Sequence, residues 1–483
     1  MRPKVAVIGG GISGLSAAHT LARYAANIDI VLLEASGRLG GVLETTRRDG
    51  FLVEAAAENF LSNPPAAVDL CREIGKSDSL IGTSPRHRRS FVVHRGHLEP
   101  IPAGFVAMAP SRMWPLVKSR VLSWRGKVRA SLELFIPPRC GDEDESVASF
   151  VRRRFGDELY ERLVQPLVGC IYGGEPERLS IAATMPRFRQ MECESGSVAR
   201  AIFSKRREDA SDSGARYSKF ATLRDGMSSL VDALAKRLPA GTVQLASPVN
   251  HILPHERDRW LLLVGGDNRH WLEVDALIIA TPAYKASKLL ASLDSTLAYD
   301  LAEIEYSSCA VVSLGYRLDQ VKRPLDGFGF VVPVVERRNI LSCSYSSVKY
   351  AGRAPDDSVL LRVVLGGTAH RGLLSLTDDE LVELARSEVS ELLYIEGEPV
   401  LTHLSRRRHA MPQYHVGHRQ RIEKFNQRLA RFPTLALAGN AYCGVGIPAC
   451  IQSGQAAAER CLRQLKLHAP TSSVTVAAAE ASV

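Results

Sequence analysis

The stretch Val5-Ala-Val-Ile-Gly9-Gly10-Gly11-Ile-Ser-Gly14 places a glycine-rich loop directly after a short apolar run. In this G-x-G-x-x-G pattern Gly9 permits a tight turn, Gly11 lets the backbone approach a pyrophosphate at a helix N-terminus, and Gly14 allows a helix to pack closely on a strand. The loop therefore predicts a Rossmann-type dinucleotide-binding site that includes Gly9, Gly10, Gly11, Ile12, Ser13 and Gly14.

The residues around the loop form a βαβ unit. Hydrophobic periodicity predicts a strand from Val5 to Ile8, a helix from about Ser13 to Tyr24 and a second strand from Asp29 to Leu33. Glu34 follows that second strand, where its carboxylate can accept hydrogen bonds from ribose hydroxyls. This context indicates a nucleotide site rather than an isolated glycine turn.

A second turn follows at once, in Glu34-Ala35-Ser-Gly-Arg38-Leu-Gly40-Gly41-Val42. Its pattern E-x-x-x-R-x-G-G resembles the second signature of FAD-dependent flavoproteins of the amine-oxidase type, in which this turn lies against the pyrophosphate and the flavin end. The resemblance implies FAD rather than NAD. It also implies that the cofactor site includes Glu34, Ala35, Arg38, Gly40, Gly41 and Val42.

A third glycine-rich segment lies near the C-terminal end. Leu437-Ala-Gly439-Asn440 is followed by Gly444-Val445-Gly446-Ile447-Pro448 and by a predicted helix from Ile451 to Leu465. A strand-to-helix turn of this kind can bring backbone N–H groups to a flavin ring or phosphate, and a plain turn is the alternative. We expect the segment to close the cofactor site with Gly439, Asn440, Val445, Gly446 and Ile447.

Six further segments follow one another along the chain: SVASFVRRRFG (146–156), LVQPLVGCIYGG (163–174), FATLRDGM (220–227), YAGRAP (350–355), MPQYHVGH (411–418) and GNAYCGVGIPACIQSG (439–454). Together they resemble the oxygen-dependent protoporphyrinogen and coproporphyrinogen oxidases of haem biosynthesis. The similarity runs in register from about Lys4 to Leu465. A nucleotide fold alone does not account for that length and order.

The resemblance implies an α/β protein with three parts: a discontinuous Rossmann-type FAD-binding domain, an α/β substrate domain, and a mostly helical insertion that touches membrane in some relatives. Periodicity predicts helices from Trp114 to Phe135 and from Ser146 to Val164, and the polar run from Ser204 to Lys219 predicts a mobile loop. The predicted boundaries are 1–85, 221–298 and 419–466 for the FAD-binding domain, 86–220 for the insertion, 299–418 for the substrate domain and 467–483 for a disordered tail.

The implied reaction is the six-electron oxidation of a porphyrinogen, either coproporphyrinogen III or protoporphyrinogen IX, to the porphyrin. FAD would take two electrons at a time and pass them to O₂, which leaves as H₂O₂. This flavin-centred chemistry needs no side-chain nucleophile, and the sequence holds no convincing Ser/His/Asp arrangement. The thirteen histidines and nine cysteines show no metal-ligand spacing, so no metal is expected.

Substrate propionates are anionic, so a basic residue facing the cavity is expected. Arg88 and Arg89 are candidates, and solvated loop arginines are the alternative interpretation, because relatives carry the basic residue one position on, where this chain has Ser90. Candidate cavity walls, for which core packing is the alternative, are Tyr172, Phe330 and Met411.

One turn departs from the family pattern. Relatives often have Gly-Pro after the glutamate at position 54, whereas this chain reads Ala56-Ala57-Glu58-Asn59. Because that turn lies near the flavin in the family, the local flavin geometry is expected to differ here. The remaining residues expected at the cofactor are Ala57, Glu58, Asn59 and Val249.

Composition limits the partners and the compartment. The net charge of +9 suits an anionic ligand or membrane surface, and the basic runs lack the interleaved aromatics of single-strand binding, so no nucleic acid is expected. Scattered cysteines without a C-x-x-C pair, together with the absence of a signal peptide or membrane-spanning stretch, predict a cytoplasmic protein. The aromatic and basic stretch from Phe105 to Phe135 suits peripheral contact with the inner membrane surface as well as helix packing.

Three interpretations compete. The protein is a porphyrinogen oxidase, a related FAD-dependent desaturase or amine oxidase with another substrate, or a non-catalytic protein that keeps the fold for binding. The intact glycine loop and Glu34 argue against the third interpretation, and the GVGIP and MPQY segments argue against the second. The sequence decides neither between the two porphyrinogens nor between a monomer and a homodimer.

Overall fold

The computed structural model of the protein describes residues 2–106, 109–110, 113–141, 143–208, 220–368 and 370–467. Over these residues the predicted α/β fold is confirmed. A parallel sheet carries the glycine loop, a larger mixed sheet lies beside it, and a helical part completes the chain.

Five parallel strands form the nucleotide-binding sheet. The central strands are apolar along their whole length because both faces are covered: Val5 and Val7 pack under helices on one face, and Ala6 and Ile8 pack under an antiparallel sheet on the other. Three separate parts of the chain contribute strands to this sheet. In spatial order the strands are Val243–Gln244, Asp29–Leu33, Lys4–Ile8, Ala276–Ile279 and Leu435–Leu437.

Two helices pack on each other over the first face of this sheet. Ile12–Ala22 begins at the glycine loop, and Ile447–Gln464 comes from the far end of the chain. A Cβ atom at Gly454 would lie 2.1 Å from the carbonyl oxygen of Ser13, so any side chain there would force the helices apart.

The nucleotide-binding part contains further helices and shorter strands. The helices are Ala66–Glu73, Ser228–Lys236, Ala283–Leu290, Ser295–Ala302 and His418–Leu429. The strands are Thr45–Arg48, Phe51–Glu54, Phe60–Leu61, Leu80–Gly82, Phe220–Leu223, Val249–His255, Arg259–Val264 and His270–Val274.

The seven-stranded sheet has two chemically different faces. Leu361, Val363 and Leu365 alternate onto the face covered by helix Asp378–Leu393, where they form an apolar core. The intervening Arg362 points to the opposite face, toward the nucleotide-binding part. In spatial order the strands are Leu401–Pro412, Tyr306–Arg317, Ser358–Gly366, Ile340–Tyr345, Gly329–Val331, Phe91–His94 and His97–Pro100, all antiparallel neighbours except that Gly329–Val331 and Phe91–His94 run parallel. The short helix Ser346–Lys349 follows the strand Ile340–Tyr345.

The helical part has its own core, which includes the buried Phe150, Leu163 and Val168. A π-helical turn, Tyr160–Val164, joins two of its helices. The helices are Met113–Lys118, Trp124–Ser131, Val147–Phe155, Asp157–Leu159, Gln165–Tyr172, Ile181–Thr184, Pro186–Ser195 and Val198–Glu208, and a two-stranded ribbon, Phe105–Val106 with Ala109–Pro110, precedes them.

A fully buried ion cluster holds this helical part together. The side chains of Arg154, Glu133 and Glu192 are all 0% exposed. Arg154 Nε donates to Glu133 Oε1 at 2.8 Å, and its Nη1 donates to Glu192 Oε1 at 3.2 Å. Glu133 also accepts from the backbone N–H groups of Val198 (2.9 Å) and Ala199 (3.2 Å), so it caps the helix that begins there. The cluster thus connects three separate segments without leaving a charge unpaired.

Several predicted boundaries were wrong. The helix predicted from Trp114 to Phe135 is two helices, because Ser123 caps a new one by accepting a hydrogen bond from Gly126 N at 3.1 Å. The helix predicted from Ser146 to Val164 breaks at Gly156, whose φ is +92°. The last helix begins at Ile447 rather than Ile451, with Pro448 in its first turn.

The two segments predicted to lack structure fall mostly outside the described residues. Within the predicted loop from Ser204 to Lys219, the helix Val198–Glu208 covers the beginning, and residues 209–219 lie outside the description. Of the predicted tail 467–483, only Leu467 is described. The predicted insertion 86–220 also begins with the hairpin Phe91–Pro100, which the structure places at the edge of the seven-stranded sheet.

Candidate functional site

The glycine loop has the geometry that its sequence requires. Gly9 has a φ of +107°, and a Cβ atom on it would lie 2.7 Å from the carbonyl oxygen of Ala280. A Cβ atom at Gly14 would lie 1.9 Å from the carbonyl oxygen of Gly9. The turn therefore tolerates no side chain at either position, for reasons internal to the protein.

Gly11 is different, because no protein atom lies within 4 Å of the position its Cβ would occupy. It is the N-cap of helix Ile12–Ala22, with an ordinary φ of −71°, and no side chain caps that helix. The N–H groups of the first helical turn therefore have no side-chain cap, and the first turn contains no acidic residue. This cradle fits the pyrophosphate of a dinucleotide cofactor, which the helix N-terminus would bind through its N–H groups and its dipole.

Glu34 is held at the sheet end beside this cradle. Its Oε2 accepts from Gly10 N at 2.6 Å, and its Oε1 accepts from Ser36 N at 2.8 Å and from Ser36 Oγ at 2.7 Å. The carboxylate is only partly buried. It is thus fixed in position with acceptor capacity left, which suits the ribose contact expected from the sequence.

The second signature turn is bonded to the first. Gly40 N donates to the carbonyl oxygen of Gly10 at 2.8 Å, and a Cβ at Gly41 would lie 3.4 Å from the Cα of Gly11. Arg38 donates to the carbonyl oxygen of Gly41 at 2.7 Å and more weakly to those of Leu39 and Leu43. Arg38 therefore holds the turn in its conformation through these hydrogen bonds. Ala35 and Val42, which belong to the same turn, are exposed.

The C-terminal glycine segment lies where the nucleotide-binding and helical parts meet. Gly446 is the N-cap of helix Ile447–Gln464, again without a side-chain cap, and Val445 packs against the core of the helical part. The Tyr414 hydroxyl donates to the carbonyl oxygen of Asn440 at 2.5 Å and accepts from Gly444 N at 2.8 Å. Tyr414 was not among the predicted residues, although the MPQY segment that contains it was singled out.

The turn Ala56-Ala57-Glu58-Asn59 joins the nucleotide-binding part to the seven-stranded sheet. The buried Glu58 accepts from Lys349 Nζ at 2.8 Å and from the hydroxyls of Ser344 (3.0 Å) and Ser346 (2.8 Å). Burial alone would raise the pKa of Glu58, but the charges of Lys349 and Arg362 and these hydrogen bonds lower it to about 2. Glu58 is therefore ionised and anchors the turn to the sheet.

The face of the sheet that meets this turn carries polar side chains; we call it the polar face. Arg362 donates to the carbonyl oxygen of Ala56, and Arg407 donates to the carbonyl oxygen of Ala55 at 3.2 Å and to Glu44 at 2.8 Å. The Arg407 guanidinium lowers the pKa of Glu44. Cross-strand pairing places on this face Cys309, Ser342, Ser344, Arg362 and Arg407.

A cavity of about 800 Å³ opens between the nucleotide-binding part and one end of the sheet. Tyr284 and Tyr306 form aromatic walls, and Arg371 and Arg408 lie at its rim. The buried atoms Thr368 Oγ1 and Gln413 Oε1, both from lining residues, have no hydrogen-bond partner in the described structure. Asn440, a predicted cofactor residue, donates a hydrogen bond to the carbonyl oxygen of Ala410. Ala410 follows His409, which lines the cavity. The cavity therefore adjoins the C-terminal glycine segment.

None of the five predicted substrate residues lines this cavity. Arg88 donates to the carbonyl oxygen of Ser84 at 3.3 Å, and Arg89 forms an ion pair with Asp326; both arginines are exposed. Phe330 is 2% exposed and belongs to the core on the face opposite the polar face. The positions of Arg88, Arg89 and Phe330 therefore give no support to a role for them in substrate binding.

The other candidates lie nearer to the cavity. The carbonyl oxygen of Tyr172 accepts from Gln413 Nε2 at 2.9 Å, while its hydroxyl donates to the carbonyl oxygen of Thr184 inside the helical part. Met411 is half-buried and pairs with the lining residue Ser307. Val249, predicted at the cofactor, begins the strand Val249–His255 and is half-buried.

Among the described residues, no group of histidine, cysteine, aspartate and glutamate side chains could hold a metal ion. Within the same residues, no helix is both long enough and apolar enough to cross a membrane.

Comparison with known proteins identifies the class. Residues 12–462 match the model of the flavin-containing amine oxidoreductases, and the chain belongs to that family. The predicted resemblance and the predicted FAD cofactor agree with this result. The fold matches that of reduced UDP-galactopyranose mutase at a TM-score of 0.72, with 15% identity and 96% coverage of both chains.

Within the family, full-length relatives are porphyrinogen oxidases, as predicted. The chain is 36% identical to coproporphyrinogen III oxidase of Propionibacterium freudenreichii, covering 94% of this chain and 89% of the relative. It is 31% identical to that of Bacillus subtilis, covering 95% and 98%. Protoporphyrinogen oxidase 1 of Arabidopsis thaliana is 29% identical, covering 92% and 85%. A solved structure from Exiguobacterium, provisionally named a protoporphyrinogen oxidase, superposes with a TM-score of 0.84 at 28% identity, covering 95% and 98%.

The site also contains a buried carboxyl with an unusual pKa. Glu54, 4% exposed, accepts from Met227 N at 2.8 Å and from the Thr45 hydroxyl at 2.9 Å. Burial raises its pKa to about 7, even though its hydrogen bonds and the charge of Arg353 act in the opposite direction. The carboxyl at the end of strand Phe51–Glu54 therefore takes up a proton on folding.

We expect Glu54→Gln to change the pH dependence of stability. The carboxyl has a pKa of about 4.3 in the unfolded chain, below its folded value, so its contribution is fully present below about pH 4.3 and is lost as pH rises to about 7. Glutamine mimics the protonated form, so the variant should gain on the parent over that interval, by at most about 4 kcal/mol. Thermal midpoints between pH 4.5 and 8 measure this. The exposed Glu459→Gln is the control, and parallel curves for Glu54→Gln and the parent would contradict the raised pKa.

Proposed function

We propose that this protein oxidises coproporphyrinogen III to coproporphyrin III. Six electrons and six protons leave the macrocycle, and three O₂ molecules are reduced to three H₂O₂ in two-electron steps. The observation that carries the proposal is the full-length similarity to coproporphyrinogen III oxidases at 31% and 36% identity, against 29% for the chloroplastic protoporphyrinogen oxidase.

The cofactor would be held by the residues described above. The first turn of helix Ile12–Ala22 and the open space at Gly11 suit its pyrophosphate, and Glu34 suits its ribose. When bound, FAD supplies a two-electron acceptor that O₂ can reoxidise. The chain's own contribution is to fix the cofactor and the substrate and to exclude water from the reacting centre.

The cavity next to the C-terminal glycine segment is the substrate site in this proposal. Its volume lies within the range of small-molecule sites, and its tyrosines suit a macrocycle. Arg408 makes no ion pair in the described structure, and Arg371 has only a 3.9 Å contact with Glu305, which Arg178 also neutralises. Both arginines are therefore free to bind substrate carboxylates.

The direct test uses the purified holoprotein in air with coproporphyrinogen III and, separately, protoporphyrinogen IX. Porphyrin fluorescence and peroxide are followed together. We expect faster turnover of coproporphyrinogen III, with about three peroxides per porphyrin. A flavin-bearing protein that forms porphyrin from neither compound would overturn the proposal and favour another flavin-dependent oxidation; preference for protoporphyrinogen IX would overturn the choice of substrate.

Arg371→Ala and Arg408→Ala should weaken coproporphyrinogen III binding more than protoporphyrinogen IX binding, because the first substrate carries four carboxylates and the second carries two. We expect KM for coproporphyrinogen III to rise about tenfold for each variant, the effect of losing roughly 1.4 kcal/mol of a charge-assisted contact. Steady-state kinetics with both substrates measures this. Arg88→Ala is the matched control, and equal effects on the two substrates would argue against carboxylate binding at the rim.

We also propose peripheral membrane contact through the two helices Met113–Lys118 and Trp124–Ser131. Trp114, Trp124 and Phe135 are 66%, 70% and 80% exposed. Lys118 and Arg125 lie over the two tryptophan rings. Exposed aromatic rings beside cations suit the interface of an anionic bilayer, where rings enter the headgroup region and cations meet lipid phosphates.

The triple variant Trp114→Ala, Trp124→Ala, Phe135→Ala should lose at least tenfold in affinity for vesicles that contain phosphatidylglycerol. Co-sedimentation measures the bound fraction. Trp271→Ala, which removes a 49% exposed ring from the nucleotide-binding part, should bind like the parent. Binding that is unchanged in the triple variant would contradict this surface.

A further inference from the structure

Two exposed cysteines of the helical part lie side by side, although 53 positions separate them in the sequence. The backbone at 139–141 crosses helix Pro186–Ser195 and is tied to it twice. Arg139 N donates to Glu192 Oε1 at 3.1 Å, and Arg189 Nη2 donates to the carbonyl oxygen of Gly141. Cys140 lies between these two tethers, and Cys193 follows Glu192 on the helix.

The two thiols lie close enough to interact, and both cysteines are exposed. Burial of the sulfur and the contact with Cys140 raise the pKa of Cys193 to about 11. Because the raised pKa disfavours the thiolate of Cys193, we assign the first attack on an oxidant to Cys140.

We propose that Cys140 and Cys193 are an oxidative modification site that closes to a disulfide in the presence of hydrogen peroxide. The proposal rests on the proposed function only for the source of the peroxide. Peroxide is the product that a flavin oxidase releases, so this pair would meet its oxidant wherever the enzyme turns over.

The reaction balances with one peroxide. The Cys140 thiolate attacks one peroxide oxygen, so an S–O bond forms, the O–O bond breaks, and hydroxide leaves and takes a proton to become water. The Cys193 thiol then loses its proton and attacks the sulfur of Cys140; the S–S bond forms, the S–O bond breaks, and a second water leaves. Two thiols are oxidised by two electrons, and one H₂O₂ is reduced to two H₂O.

The disulfide would close the loop 140–193, which contains Arg154 and Glu192 of the buried ion cluster. Glu192, next to Cys193, accepts hydrogen bonds from Arg139 N, Arg153 and Arg154. A covalent link between the crossing segment and the helix would restrict the unfolded chain and hold these contacts in place. Oxidation should therefore raise the thermal midpoint of the helical part, and thiol reagents should reverse the rise.

The test uses full-length holoprotein treated with equimolar H₂O₂, followed by alkylation and non-reducing peptide mapping. We expect a peptide pair linked through Cys140 and Cys193, a rise of several degrees in thermal midpoint, and reversal by dithiothreitol. Cys140→Ser and Cys193→Ser should lose the linkage and the rise, whereas Cys443→Ser, which removes another exposed cysteine, should retain both. Full alkylation of both cysteines after peroxide treatment would overturn the proposal.

A second arm separates this proposal from the proposed function. With coproporphyrinogen III and air in place of added peroxide, the same linkage should form, and catalase should prevent it. If added peroxide forms the disulfide and no porphyrin appears in this arm, the proposed function fails and the modification site stands. If porphyrin forms and added peroxide leaves both thiols free, the modification site fails and the function stands.

Discussion

A Gly11→Val variant is expected to fold normally and to be purified without flavin. Apart from its chain neighbours, no residue lies within 4 Å of the Cβ position of Gly11, and the φ of −71° is ordinary for any residue, so the fold leaves room for a β-branched side chain there. That space is the proposed pyrophosphate cradle, so filling it should lower FAD affinity at least a hundredfold. Flavin absorbance, flavin titration and circular dichroism of the same samples measure the effect.

The second signature turn provides a matched control. Gly37 also has no atom within 4 Å of its Cβ position, but it is exposed in the second signature turn, away from the helix N-terminus. Gly37→Val should retain flavin. A Gly11→Val protein that is folded and still yellow would show that the cofactor does not approach this backbone.

Arg154→Met should destabilise the protein by about 3–5 kcal/mol, because it leaves Glu133 and Glu192 buried without their shared cation. Few other single substitutions in the chain should cost as much. Denaturant unfolding, followed by the fluorescence of the tryptophans of the helical part, measures the change. Arg187→Met, an exposed change on helix Pro186–Ser195, should be nearly neutral.

The double variant Arg154→Met, Glu133→Gln tests the cause. Glutamine retains acceptor capacity toward Val198 N, and removal of one buried negative charge should recover part of the loss. A loss of stability that is equally large in the double variant would indicate that packing of the arginine, and not its charge, stabilises the cluster.

Local sequence signals predicted the strand, glycine loop and helix at the start of the chain because the constraints on that unit are local. Gly9 has a positive φ, and a Cβ atom on Gly14 would collide with the carbonyl oxygen of Gly9 five residues away, so both glycines are required by local backbone geometry. The apolar strands beside them have no alternative to burial. The start of the second signature turn was equally readable from Glu34. In these places the local sequence is enough to predict both the conformation and the physical reason for it.

The contacts of the polar face and of the candidate substrate residues were harder to predict from the sequence, because the residues that meet there are far apart along the chain. Glu58 meets Lys349 across 291 positions, and Arg407 meets the carbonyl oxygen of Ala55 across 352. No pattern in the neighbouring sequence indicates either of these contacts. Arg88 and Arg89 stood out as a charged run, yet their partners are loop groups such as Ser84 and Asp326.

The misplaced helix boundaries have a related cause. Apolar residues recur with helical period from Trp114 to Phe135, but the first helix ends at Lys118 and Ser123 caps the next one. Several of the apolar side chains face outward. Hydrophobic periodicity indicates that one side of a segment is apolar, but it does not indicate which other part of the protein, if any, covers that side.

The contact between Gly454 and Ser13 has a consequence for the newly made chain. The first strand and glycine loop emerge from the ribosome early, but the helix that packs on them, and the strand Leu435–Leu437 at the sheet edge, are among the last segments described. At roughly 5–20 residues per second, synthesis leaves this apolar surface without its partner for on the order of half a minute. During that time the nascent domain depends on chaperones or on transient contacts, so its yield in the cell should respond to translation speed near the end of the message.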